Sequence, residues 1–155
     1  MSKSLIRPQE PRPVISALIW NKNHGAYLEE AIMSVLAQQY QDFEIIVGDG
    51  ASGDCSIDIL KKFNTESRLS WFSEPDQNGF HALNKLVGLA RGKIVCTLSS
   101  TDKFLPGAFN KAVREFDEDA RLAMVGGGIR YLQENGQDEG KGYQQFKESV
   151  NLSIE

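Results

Sequence analysis

Long apolar runs are missing from this 155-residue sequence. None approaches the roughly 20 residues needed to cross a bilayer, and the N-terminus lacks the apolar stretch of a signal peptide, so a cytoplasmic chain without a transmembrane segment is expected. Cysteine is scarce too: Cys55 and Cys96 stand far apart, with no Cys-x-x-Cys and no His-rich surroundings. That excludes a zinc site and a disulfide framework, and both thiols are expected to be reduced, with Cys96 in the core. An excess of positive charge is also lacking. The 17 Lys+Arg face 21 Asp+Glu, for a net charge of -4 and no polybasic run, so nucleic acid is not an expected partner. No Gly-x-x-x-x-Gly-Lys loop occurs, and Gly48-Asp49-Gly50 lacks the spacing and third glycine of a dinucleotide fingerprint.

What is present suits a folded domain. With 41% hydrophobic and 25% charged residues the chain has the composition of a globular protein, and its length leaves room for one core rather than two. Residues 1–12, proline-bearing and without period, read as a loose leader. Apolar strand-like runs then alternate with stripes at helical spacing. Val14 to Ile19 precedes Leu28, Ala31, Ile32, Val35 and Leu36, with that helix ending near Gln39. Phe43 to Val47 precedes a helix N-capped by Asp54 and carrying Ile57, Leu60 and Phe63. Leu69 to Phe72 precedes a helix with Leu83, Leu86, Val87 and Ala90, stopped by Gly92. Ile94 to Leu98 precedes a helix opened by Pro106 and carrying Phe109, Ala112, Val113 and Phe116. Four strand-helix units in succession predict parallel strands joined by right-handed crossovers, an α/β sheet with helices on both faces. Ala123 to Val125 would add a fifth strand, and Ile129 to Leu132, closed by Asn135-Gly136, a hairpin strand at an edge. Residues 137–155 form a polar tail in which Tyr143 to Val150 has the look of a short helix.

Ligands of open parallel sheets bind beyond the carboxyl ends of the strands. The polar residues gather at those loops: Asn21 and Asn23, Asp49, Glu74 and Asp76, then Ser99 to Asp102. Taken together, Pro13 to Asn23, Tyr27 to Ile32, Ser34 to Gln38, Phe43 to Asp54, Ser73-Glu74-Pro75-Asp76, Ala82-Leu83-Asn84-Lys85, Ala90-Arg91-Gly92 and Leu105-Pro106-Gly107-Ala108 resemble the first half of family 2 glycosyltransferases, in order and with family spacing. The resemblance implies a three-layer GT-A fold, nucleotide-diphospho-sugar transferase-like, with a mostly parallel sheet flanked by helices over residues 13–136 and truncated on its acceptor-side half. It implies binding of a nucleotide-diphosphate sugar, of UDP or dTDP type, for inverting transfer to an acceptor. By position, Asp49 matches the aspartate that hydrogen-bonds the nucleotide base, with the ordering of a glycine-rich turn as its other role. Asn23 falls beside the nucleotide or caps its loop, and Asp76 matches an aspartate near the nucleotide sugar or serves as a turn residue.

The sequence also departs from the family. Ser99-Ser100-Thr101-Asp102 stands where relatives carry the Asp-x-Asp carboxylates for a divalent cation, Mg²⁺ or Mn²⁺. Asp102 alone remains there as a metal ligand, and weakened metal binding is expected because hydroxyls bring no charge to offset the ion's desolvation. Pro-Thr-Tyr-Asn of the family becomes Trp20-Asn21-Lys22-Asn23, so Lys22 either takes part of the metal's work on the diphosphate or is a solvated loop lysine. His81 replaces an aspartate and reads by default as a neutral surface histidine. No segment matches the family's catalytic base, so no catalytic residue is assigned. The chain reads as the donor-binding half of a longer protein or a short diverged paralogue, with a homo-oligomer or a missing C-terminal region as its partner. The alternative function is a non-catalytic nucleotide-binding or assembly module.

Overall fold

The computed structural model describes residues 11–132, 138–143 and 146–149. They fall into two compact units divided between Pro106 and Gly107. The first holds β1 (Ile15–Asn21), α1 (Gly25–Leu36), β2 (Phe43–Asp49), α2 (Ser56–Lys62), β3 (Leu69–Ser73), α3 (Gly79–Leu89) and β4 (Ile94–Ser99). The strands lie in the order β3-β2-β1-β4, and every pair is parallel. The expected α/β sheet is therefore present.

Chain direction sets which face each helix covers. The crossovers from β1 to β2 and from β2 to β3 step the same way, so right-handedness puts α1 and α2 on one face. The crossover from β3 to β4 steps back past β1 and puts α3 on the other. Leu18, Ile46 and Phe72 pack with Leu86 of α3, and Trp20, Leu83, Leu89 and Ala90 close that cluster. Gly48 lies in the same layer, where a Cβ would come within 3.0 Å of the Phe72 ring and 3.3 Å of Leu86. Residues of opposite parity, such as Ala17, Ile19, Ile45 and Val47, are buried on the α1 side with Leu28, Ile32 and Val35.

At the amino ends of the strands one ionic knot ties three elements. The Glu44 carboxylate accepts the Ser16 hydroxyl at 2.7 Å and the Arg91 backbone N–H at 2.9 Å. The Arg91 guanidinium binds its other oxygen through Nε at 3.0 Å and Nη2 at 2.8 Å. Gly92 follows. A Cβ there would sit 2.6 Å from Ser16 N and 2.7 Å from Ile15 C, so the turn into β4 runs in contact with the β1 backbone. Gly92 is thus a close-approach glycine rather than the expected helix stop, since α3 already ends with Ala90 extended.

Several boundaries differ from the sequence reading. Strand β1 continues to Asn21 because Trp20 and Asn21 keep their register with Gly48 and Asp49. Cys55, not Asp54, occupies the N-cap of α2, and Phe63 is its C-cap. Val87 is about half exposed because the buried stripe of α3 runs through Ala82 and Leu86. Pro106 precedes the N-cap Gly107, whose φ of 77° suits glycine, rather than opening the helix.

The second unit contains α4 (Ala108–Glu118), β5 (Leu122–Gly126), β6 (Ile129–Leu132), β7 (Asp138–Tyr143) and β8 (Phe146–Ser149). Strand β5 is not a fifth strand of the parallel sheet: it pairs antiparallel with β8, while β6 pairs antiparallel with β7. The expected hairpin strand is therefore present, in a two-stranded sheet of its own. Where a helix was expected over Tyr143 to Val150, the described residues are the end of β7 at Tyr143 and β8 over Phe146–Ser149, because the ladder pairing of each with its partner strand, β6 and β5, outweighs weak local propensity. The leader through residue 10, the Asn135-Gly136 turn and the tail beyond residue 149 lie outside the described residues.

Candidate functional site

The strand order reverses between β1 and β4, since successive strands lead away from β1 on one side and β4 lies on the other. Such a switch point leaves a crevice at the carboxyl ends, and the polar loops meet there. Beyond the strands the loops remain laced together. Gly50 N donates to Asn21 O at 2.8 Å, Glu74 N to Asp49 O at 3.0 Å and Ser100 N to Trp20 O at 3.1 Å.

Asp49 is the hub. It is 1% exposed. Its Oδ1 accepts Asn21 Nδ2 at 2.7 Å and the Ser52 hydroxyl at 2.5 Å, while Oδ2 accepts Ser52 N at 2.9 Å and the Ser73 hydroxyl at 2.7 Å. Four donors fill the usual acceptor capacity of a carboxylate. Asp49 therefore orders its turn, the second of its two sequence-level roles, and a nucleotide base could reach it only by sharing or displacing one of these donors. Asn23, at φ 55°, accepts Gly53 N at 2.8 Å through Oδ1 and gives its own N–H to Ser52 Oγ at 2.8 Å. It caps the loop and clamps it to the β2 turn.

Lys22 and Asp76 are brought together. Lys22 Nζ lies 3.5 Å from Asp76 Oδ1, with the lysine side chain 53% exposed and the aspartate side chain 7%. Both lean on Gly50, where a Cβ would come within 2.4 Å of Asp76 Oδ2 and 3.1 Å of Lys22 Cδ. Next along the β3 loop, Glu74 is paired with Lys85 at 2.7 Å. His81 sits at the start of α3, where its Nδ1 accepts Gln77 N at 3.2 Å and its backbone N–H is capped by Asn78 Oδ1 at 2.9 Å.

Across the crevice, Ser99 Oγ and Thr101 Oγ1 hydrogen-bond each other at 2.9 Å, and Asp102 is exposed, its N–H donating to Ser99 O at 3.0 Å. This donor set does not fit a divalent cation. It offers one carboxylate and two neutral hydroxyls already engaged with each other, whereas Mg²⁺ and Mn²⁺ favour several hard, charged oxygens. No group of three or more His, Cys, Asp or Glu side chains suited to a metal occurs among the described residues.

Three further contributors stand in the sequence only as loop residues with no role of their own. Asn21, 2% exposed, gives Nδ2 to Asp49 and to Ser56 Oγ at 2.9 Å, which leaves its Oδ1 buried with no hydrogen-bond partner. Rotating the amide would set oxygen against the Asp49 carboxylate, so the orphan is the acceptor. Ser100, one step past β4, likewise has a buried, unpartnered hydroxyl. Gly50 is the third, since it makes room for Asp76. Their only signal was position, each being within three residues of an expected strand end.

Cys96 and Cys55 are both free thiols. Cys96, expected in the core, is only partly buried on β4, and the burial of its thiol pushes it up to about 12. No described helix is long and apolar enough to cross a membrane.

Comparison with known proteins adds to this geometry. The sequence model described as glycosyl transferase family 2 matches residues 16–151. An uncharacterized glycosyltransferase of Nostoc sp. is 32% identical over 104 residues, 66% of this chain and 32% of that protein. Among solved structures, a Pyrobaculum calidifontis mannosyltransferase in complex with GDP-Man and Mn²⁺ superposes with a TM-score of 0.65 at 21% identity, covering 79% of this chain and 36% of that one. S. aureus TarS 1-349 in complex with UDP-GlcNAc gives 0.63 at 17%, covering 74% and 40%. The chain spans less than half the length of each of these three, and the folds agree.

Proposed function

The chain belongs to glycosyl transferase family 2 and has the GT-A fold, and from that premise we propose that it binds the nucleotide-diphosphate part of a sugar donor at the carboxyl ends of β1 to β4. The observation that carries this reading is the convergence of the β1, β2 and β3 loops on one hydrogen-bonded floor, Asn21, Asp49, Ser52 and Ser73, beside the open β1–β4 switch point. A GT-A neighbour holding UDP-GlcNAc and another holding GDP-Man support a nucleotide sugar as the ligand class. The domain expected over residues 13–136 contains this site, and the residues that form it all precede the division between Pro106 and Gly107.

Within this reading Asp49 holds the loops in place for the base, Asn23 clamps the rim, and Asp76 with Lys22 forms the edge nearest the diphosphate and sugar. Transfer proceeds with inversion at the anomeric carbon, the acceptor hydroxyl losing its proton to a carboxylate. That base is assigned to no residue of this chain. The free thiols fit a reducing compartment, the cytoplasm. Calorimetric titration with UDP, dTDP and GDP and their sugars tests the reading. Saturable binding of one base class supports it, and no heat with any of them at millimolar concentration sinks it.

A further inference from the structure

We propose that β4 is a docking edge for a second copy of this chain, pairing antiparallel with the same strand of that copy about a two-fold axis at Thr97 and joining two four-stranded sheets into one of eight. The inference concerns the parallel-sheet unit alone and does not rest on the nucleotide-sugar reading.

Three observations carry it. First, β4 ends the sheet, bonded to β1 on one side and to no strand among the described residues on the other. Its residues Ile94-Val95-Cys96-Thr97-Leu98-Ser99 include no charge and no proline, the usual guards of a sheet edge. Second, β4 is bare on one face. Val95 and Thr97 pair in register with Ser16 and Leu18 of β1, so they stand on the face that α3 covers, yet Val95 is 43% exposed and Thr97 is exposed too. At the opposite edge Leu69, Ser70, Trp71 and Phe72 of β3 are buried. Third, the charges that bracket β4 are free and of opposite sign. Lys93 before it and Asp102 after it are exposed, and neither side chain is paired with a described residue. The charges that bracket β3 are already used, Arg68 by Glu66 and Glu74 by Lys85.

These features select the occupant. A strand that fits this edge is uncharged along its length, with an anion where β4 begins and a cation where β4 ends. A second β4, run antiparallel, is such a strand. Directly opposed residues of an antiparallel ladder share a face, so a two-fold axis falls between a residue and its own copy. Placed at Thr97, the exposed residue nearest the middle of the strand, it sets Thr97 against Thr97, Val95 against Ser99 and Cys96 against Leu98. Lys93 then lies beside the turn that carries the partner's Asp102, and the symmetry makes this contact twice. A parallel arrangement would set Lys93 against Lys93. Six residues a side make a small interface, so the association belongs to the weak, reversible class.

The test is sedimentation equilibrium of the full chain, without nucleotide, from about 10 μM to about 1 mM, the range suited to a small interface. The mass should rise from one chain toward two. Thr97→Lys, which sets a lysine against its own copy, should weaken dimerisation about ten-fold or more. Lys93→Asp and Asp102→Lys should each weaken it about five-fold, and the double reversal should recover most of the parent affinity. Circular dichroism should show all four variants folded. A parent chain that stays monomeric at about 1 mM overturns the inference, whether hydrogen exchange then finds the β4 amides protected by another segment of the chain or open to solvent. A dimer that none of the single substitutions weakens overturns it as well, because the copies then meet elsewhere.

Discussion

At the scale of single residues the site is a hydrogen-bond problem before it is a recognition problem. Asp49 gathers four donors from three loops, so Asp49→Ala leaves buried Asn21 and Ser73 groups and the Ser52 N–H without their acceptor. The expected loss is about 2–4 kcal/mol of folding stability, read as a lowered urea midpoint, because charge-assisted bonds are removed and partners are left unsatisfied. An unchanged midpoint would mean that the hub is dispensable. The sequence announced Asp49 by its place after an apolar strand, but the reason for an acid there was hidden. Its partners come from residues 21, 52 and 73, and only the fold makes them neighbours. Asn21 stood among the polar loop residues, but its bond to Asp49 was hidden for the same reason. The two thiols give a second prediction at this scale. Burial holds Cys96 up to about 12, whereas Cys55 is exposed. With Ellman's reagent at about pH 8, near the ordinary thiol range, one thiol per chain should react quickly and the second only after denaturation. Two fast thiols would show that β4 opens readily.

Elements were legible wherever hydrophobic period and tertiary demand agreed, which is why the four parallel strands and three crossover helices emerge from the sequence. They were not legible in the polar tail, where β8 exists through its pairing with β5. Contacts between elements were silent too, although they set the next two predictions. Gly92 lies 2.6 Å, as measured from an ideal Cβ, from Ser16 N, and its backbone neighbour has no room to yield. Gly92→Ala should therefore destabilise the sheet by about 1–3 kcal/mol through overpacking, in differential scanning calorimetry, while Gly53→Ala, with open space around it, should cost far less. The second concerns the Asp54 carboxylate, which links the starts of two helices. The Ser56 hydroxyl lowers its pKa most, followed by the Gly25 and Ser56 backbone N–H groups. A folded value below the unfolded one means that the contribution is present above about pH 4 and lost as pH falls through the folded value. Thermal melts between about pH 6 and pH 3 should thus fall more steeply for the parent chain than for Asp54→Asn. Parallel curves would show that Asp54 carries none of the acid sensitivity.

For the molecule as a whole, the division between Pro106 and Gly107 separates the parallel sheet from the two antiparallel strand pairs. Every residue proposed for donor binding, from Asn21 to Asp76, lies before that division. So do the helices that cover both faces of the sheet and nearly all of the buried apolar side chains. The chain end of this unit is also tied down. Gln38, buried against the C-terminal turn of α1, donates to Leu105 O at 3.1 Å, the Phe104 N–H donates to Ser34 Oγ at 3.1 Å, and Lys103 pairs with Glu30. A chain ending at Pro106 should therefore fold cooperatively and bind the nucleotide diphosphate that the full chain binds, within a few-fold in Kd. A chain ending at Asp102 removes the carbonyl and N–H that hold Gln38 and Ser34, leaving buried polar groups with fewer partners, and should unfold about 1–3 kcal/mol more easily. Guanidinium titration of the two truncations beside the full chain decides the matter. If the Pro106 chain melts without cooperativity, the parallel sheet depends on the residues after Gly107. If it folds but binds nothing that the full chain binds, the donor site extends past β4 and includes groups from the second unit.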